Sequence, residues 1–160
     1  MAENKPDESF LRRAIDISRE RMRANLGGPF GAVIVRDGVI IGEGWNEVTT
    51  SNDPTAHAEV VAIRRACQEI KDFSLKGAVI YSSCEPCPMC LASIYWARLD
   101  RLVFANSRDD AANIGFDDAF LYEEVGKAIE ARSIGTVHHP MKEALAVFDE
   151  WAIKPDRVPY

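Results

Sequence analysis

His57, Glu59, Cys87 and Cys90 are the residues of this chain whose types and spacing could do chemistry together. An imidazole and two thiolates are natural zinc ligands. Three protein ligands, unlike the four of a structural zinc site, leave a coordination position for a water molecule that the metal acidifies toward neutral pH. A carboxylate beside that water can take its proton and pass it on. The chemistry this permits is hydrolytic attack on an amidine-like carbon with loss of ammonia.

The spacing sets conditions on the elements that carry these residues. On a regular helix, positions two apart diverge by roughly 200°, so His57 and Glu59 can face one ion only if His57 sits at the mouth of its helix. Asp53-Pro54 signals such a start, with Asp as N-cap and Pro at the first helical position, and predicts a helix continuing through Ile70. Cys87 and Cys90, three apart, share one side of a helix whose beginning Pro86 marks, and the unpaired amides of a helix start favour thiolates. Cys84 extends the pattern to Cys84-x-x-Cys87-x-x-Cys90, which could close a four-ligand site. Its position before Pro86, at a strand end, predicts that it packs near the metal without ligating. Taken singly, His-x-Glu is common and Cys-x-x-Cys serves redox pairs and structural zinc alike. Taken together they resemble the zinc-deaminase signature, and that resemblance implies that the glutamate is no ligand but moves the proton.

Other elements follow from periodicity and turn chemistry. A helical stripe of Leu11, Ala14, Ile15, Met22 and Leu26 predicts a helix over about 7–26, stopped by Gly27-Gly28-Pro29. Ala32–Val35 and Val39–Ile41 read as a hairpin turned by Asp37-Gly38. Strand 77–82, helix 87–97 and strand 101–105 complete a β-α-β-α-β order that favours parallel pairing of the later strands. Short helices are expected over 117–125 and 141–152, and a strand over 136–138. With no repeat, linker or low-complexity segment, one domain over 1–160 is expected.

Composition narrows the class. A chain of 160 residues, 47% hydrophobic, can bury a core without disulfides. Three of its four cysteines fall within seven residues, which suits metal ligation in a reducing compartment. The first residues lack a signal-peptide pattern and no apolar run reaches bilayer length, so a cytoplasmic chain without membrane attachment is expected. The net charge of −6 argues against a nucleic-acid partner; Arg12, Arg13, Arg19, Arg21 and Arg23 are interrupted by acids and read as a solvated helix face.

The segments GGPFGAVIV, GWNEVTTSNDPTAHAEVVAIR, SSCEPCPMCLASIYWARLDRLVF and AANIGFDDAFLYEEV carry a resemblance that runs nearly end to end. The chain resembles the cytidine deaminase-like superfamily and, within it, the bacterial guanine deaminases. The resemblance implies a three-layer α/β/α sandwich around a mixed sheet of about five strands, with one zinc per subunit held by His57, Cys87 and Cys90. It implies conversion of guanine to xanthine with Glu59 and Asp118 as catalytic carboxylates. Asn46, Phe30, Ala58, Asp118 and Tyr160 would contact the purine base, and the subunits would form a homodimer with exchanged C-terminal segments, about 140–160.

Plainer roles compete for several of these residues. Asn46 could serve a turn, Phe30 the core, and Asp117 and Asp118 a helix start. Glu123 and Glu124 read as solvent-facing, with a reach by one of them into the pocket as the alternative, and His138 and His139 read as an ordinary strand end, not ligands. GEGWN and DPTAHAE also resemble tRNA adenosine deaminases, against which stand the acidic balance, the GFDD segment and the lack of a basic C-terminal helix. A zinc-stabilised binding module without catalysis is the third reading, separable from the enzymes by the effect of Glu59→Gln.

Overall fold

The computed structural model describes residues 5–160, which divide into a unit ending at Val125 and a second, Gly126–Tyr160. The first unit opens with helix α1, Glu8–Arg23, capped by Asp7, whose carboxylate accepts the Ser9 N–H at 2.9 Å. Strands β1, Gly31–Arg36, and β2, Val39–Trp45, form the expected hairpin. Its turn residues Asp37 and Gly38 both have positive φ, 52° and 76°, the mirror-image turn that follows the strands' right-handed twist. A single turn, α2, Val48–Ser51, precedes helix α3, Ala58–Ile70. Strand β3, Ala78–Cys84, helix α4, Pro88–Trp96, and strand β4, Arg101–Asn106, come next, then α5, Arg108–Ala112, and α6, Ala119–Gly126.

Among the described residues the sheet has four strands in the order β2-β1-β3-β4, with β1 antiparallel to both neighbours and β3 parallel to β4. Strand alternation then builds two cores. Ala32, Ile34, Ala78 and Ile80 face α3 and α4 through Ala58, Ala62, Ala66, Ile94 and Ala97. Val33, Val35 and Tyr81 point to the other side, where α1 supplies Ala14, Ile17 and Phe10. This is the three-layer α/β/α arrangement, with four strands where about five were expected. The candidate fifth, Thr136–His138, is irregular. It lies in the second unit, whose regular structure is a 3₁₀ turn, Ile129–Ala131, and helix α7, Lys142–Ile153, so no strand of that unit offers it a ladder. No helix of the described residues is long and apolar enough to cross a membrane.

The start of α3 also differs from the expectation. Asp53 is not its N-cap: the Asp53 carboxylate accepts the Thr55 N–H at 2.8 Å and hydroxyl at 2.6 Å, closing a local turn, and the helix begins at Ala58 with His57 as N-cap. What fixes that start is main-chain contact. A methyl group on Gly44 would stand 2.2 Å from the Ala58 carbonyl oxygen and 2.5 Å from the Ala62 nitrogen, and one on Gly42 would stand 2.8 Å from the Ala66 Cβ. Glycines on β2 and alanines on α3 therefore let helix and strand touch without intervening side chains. Gly44→Ala is expected to cost about 1–3 kcal/mol, the usual overpacking penalty. Urea unfolding checks this, and an unchanged midpoint would show that α3 can move aside freely.

Candidate active site

Two helix starts face each other on the same side of the sheet. His57 and Cys87 are both N-cap residues in extended conformation, φ −70°, ψ 156° and φ −66°, ψ 169°, and neither side chain caps its own helix. Pro88, at the first position of α4, needs no hydrogen-bond acceptor, and Cys90 lies one turn on, buried. The result is convergence of His57 Nδ1 on Cys87 Sγ at 3.5 Å and on Cys90 Sγ at 3.6 Å. A tetrahedral zinc ion with ordinary Zn–N and Zn–S bonds separates nitrogen and sulfur ligands by about 3.6 Å, so the donor set fits zinc in both chemistry and spacing. Among the described residues these three side chains form the group that could hold an ion.

Without an ion the donors compete for protons. Cys87 is lowered to about 4, chiefly by the hydrogen bond from Cys90, with His57 helping against burial. Cys90 is pushed far upward by the same hydrogen bond and by burial. One thiolate is thus accommodated readily and a second is not, and a dication reverses that balance because it binds both as thiolates. The Cys87 contact also raises His57 above the usual imidazole range.

Glu59, in the first turn of α3, is buried, and its Oε1 accepts the Ser82 hydroxyl at 3.0 Å. Burial raises its pKa, opposed by hydrogen bonds from its own backbone N–H, Cys90 and Ser82. Ser82 was not anticipated, although it was legible as a polar residue two places beyond the core-facing Ile80. Cys84 is buried with its thiol directed at the Ser107 carbonyl, 3.6 Å away, outside the His57, Cys87 and Cys90 group; burial raises it to about 11.

A cavity of about 370 Å³ opens over these residues. His57, Glu59 and Cys87 line it together with Phe30, Asn46, Asp118, Arg108 and Phe116. Phe30 meets Phe116 edge to face, ring centres 4.9 Å apart. Asn46 is buried, and its Oδ1 accepts the Val48 N–H at 3.3 Å, which leaves its amide NH₂ as the donor for the cavity. The adjacent Trp45 is clamped between the guanidinium groups of Arg21 and Arg65, 4.0 and 4.2 Å from its ring centre. Asp118 is half-buried, its pKa raised by desolvation and then by the Cys87 charge.

Some residues named from the sequence fall elsewhere. Ala58 is fully buried against β2, with Gly44 at its carbonyl, and is not among the cavity-lining residues. Asp117 reaches the cavity rim while its Oδ1 accepts the Ala119 N–H at 2.9 Å, the helix-start role. Glu123 is exposed and Glu124 half-buried. Tyr160, His138 and His139 belong to the second unit.

Comparison with known proteins agrees with this chemistry. Residues 4–106 match the family described as the cytidine and deoxycytidylate deaminase zinc-binding region. Guanine deaminase from Bacillus subtilis is 53% identical over 144 residues, 90% of this chain and 92% of that protein. An X-ray structure of guanine deaminase from that organism superposes with a TM-score of 0.94 at 50% identity, covering 97% of this chain and 99% of the other. The tRNA-specific adenosine deaminase of Haemophilus influenzae is 40% identical over 118 residues, 70% of this chain and 68% of that protein. The chain belongs to the cytidine and deoxycytidylate deaminase zinc-binding family, and within it stands beside a bacterial guanine deaminase.

Proposed function

We propose that this protein hydrolyses guanine to xanthine and ammonia, using one zinc ion per subunit held by His57, Cys87 and Cys90. The observation that carries the reading is a group of three zinc donors beside a buried, non-ligating carboxylate at a cavity lined by His57, Glu59 and Cys87, in a chain 53% identical to a guanine deaminase over nearly its whole length. Zinc supplies Lewis acidity to the attacking water. Glu59 accepts a proton from that water as its oxygen bonds to the carbon bearing the amino group, then returns protons to the nitrogen so that ammonia departs as the C–N bond breaks. Ser82 holds the Glu59 carboxylate in place through Oε1.

Asn46 donates its NH₂ to an acceptor on the purine, Phe30 packs against the base, and Asp118, whose pKa desolvation raises, meets the substrate from the cavity lining. Asn46→Ala is expected to raise KM for guanine about tenfold, the upper range for one lost hydrogen bond, with kcat nearly unchanged. An unaltered KM would remove Asn46 from the binding site.

The substrate is a free purine base and not a nucleic acid: the charge of −6 opposes polyanions, and the tRNA-specific relative matches less of the chain at lower identity. We place the protein in the cytoplasm, which suits its free thiols. A homodimer with exchanged segments of about residues 140–160, Tyr160 reaching a partner's site, is supported by Leu145, Phe148 and Ile153 on α7, which remain exposed within a single chain. Purified zinc-loaded protein given guanine should form xanthine and ammonia in equal amounts. Folded, zinc-loaded protein without turnover would overturn the reading.

A further inference from the structure

The segment that carries Asp118 is attached to the rest of its unit in an unusual way. It leaves α5 at Gly115, whose φ of +95° and open surroundings make it a pivot that any side chain would strain. Beyond the pivot, Phe116, Phe120, Leu121 and Val125 keep much of their surface exposed. Two side-chain contacts join the segment to the cavity wall and to the loop before Cys87. Phe116 stands edge to face on Phe30 at the cavity wall. Tyr122, one helical turn beyond Asp118, donates its hydroxyl to the Pro86 carbonyl oxygen at 2.9 Å.

The second contact reaches a particular place. Pro86 is buried and immediately precedes the metal-donor residue Cys87. The Tyr122 amide in turn bonds the Asp118 carbonyl oxygen at 3.3 Å, so one residue touches both Asp118 and the loop that sets the thiolate. Arg108 lies over the Tyr122 ring at 4.8 Å, and its backbone N–H bonds the Glu85 carboxylate at 3.0 Å. Tyr122 itself does not line the cavity.

We propose that Tyr122 is a positioning residue: its hydroxyl latches the 116–125 segment onto Pro86 and thereby holds Asp118 against bound substrate. The claim rests on the role given above to Asp118. A residue acting this way affects how well substrate is gripped more than the proton transfer at Glu59, and loss of its hydroxyl should loosen the segment without disturbing the zinc donors.

Tyr122→Phe isolates the latch, because it removes one hydrogen bond while leaving the ring under Arg108. The expected result is about a fivefold rise in KM for guanine, the yield of one net hydrogen bond, with kcat within twofold, full zinc content and an unchanged melting temperature. Amide hydrogen exchange should quicken at residues 119–125 and stay as in the parent along β3 and α3. In a cycle with Asp118→Asn, the Tyr122→Phe change should add nothing further to KM. Unchanged exchange at 119–125 overturns the latch whether or not guanine is a substrate. Effects on KM that multiply in the double variant overturn its action through Asp118. Absence of guanine turnover in the parent defeats the functional reading, and the exchange pattern alone then decides the latch.

Discussion

Glu59→Gln is expected to lose nearly all turnover and to leave the metal in place. Gln has the size of Glu, and its amide oxygen can still accept the Ser82 hydroxyl, so neither the burial of position 59 nor the start of α3 need change. What is lost is the only function Gln cannot supply, a group that takes a proton from water and gives it back. General acid–base catalysis is commonly worth about 10²–10⁴-fold in rate. Because the same carboxylate serves both the attack and the departure of ammonia, the expected fall in kcat lies at the upper end, about 10⁴-fold. The melting temperature should hold or rise, since a buried carboxylate whose ionised form is disfavoured has been replaced by a neutral group. Metal analysis alongside steady-state kinetics checks both halves. A variant retaining a tenth of parental kcat would take Glu59 out of the proton path.

Removal of a zinc donor acts at a different level. His57 and Cys87 belong to separate helices joined by a strand, and each sits at an N-cap with its side chain turned away from its own helix. An ion binding the folded form alone stabilises it by about 4 kcal/mol at a thousandfold excess over Kd. Cys87→Ala should therefore lose zinc affinity by well beyond the ~10–100-fold that attends loss of a supporting partner. Chelator should lower the melting point of the parent by several degrees and that of Cys87→Ala hardly at all. Cys84→Ala is the contrast: its thiol faces the Ser107 carbonyl, and its zinc content should match the parent. If Cys84→Ala lost zinc as Cys87→Ala does, the three-donor assignment would fail.

The zinc-donor pattern was readable because it depends on local spacing: Cys87 and Cys90 share a helix side wherever that helix lies, and His57 needs only a helix mouth. The exact mouth was misread. Asp53-Pro54 carries the common start signal, yet Asp53 spends its carboxylate on Thr55, and His57, a residue with no capping signature, takes the N-cap because Gly44 and Gly42 dock the backbone of α3 there. The Ser107 cap of α5 was legible, since Asp110 returns the bond three residues on, but a five-residue helix gives no periodicity to prompt the search. Arg108, Phe116 and Tyr122 reach the site neighbourhood only through contacts spanning many residues, such as Tyr122 to Pro86, and no local pattern encodes those. Thr136–His138 differs in the opposite direction: a short run with two strand-favouring residues, Thr136 and Val137, needs a neighbouring strand before it becomes one.

The glycine and alanine interlock between β2 and α3 bears on how such a catalyst can diversify. Where helix and sheet already meet atom to atom, no substitution can shift the catalytic floor inward, and only gaps could push it out. Change in what the enclosure admits must come from its rim, the stretches around residues 27–30, 46–49 and 108–118, which can lengthen or exchange side chains without disturbing the floor. A lineage on this scaffold can therefore keep one hydrolytic engine and re-cut its doorway, and libraries aimed at new heterocycles belong in those three stretches.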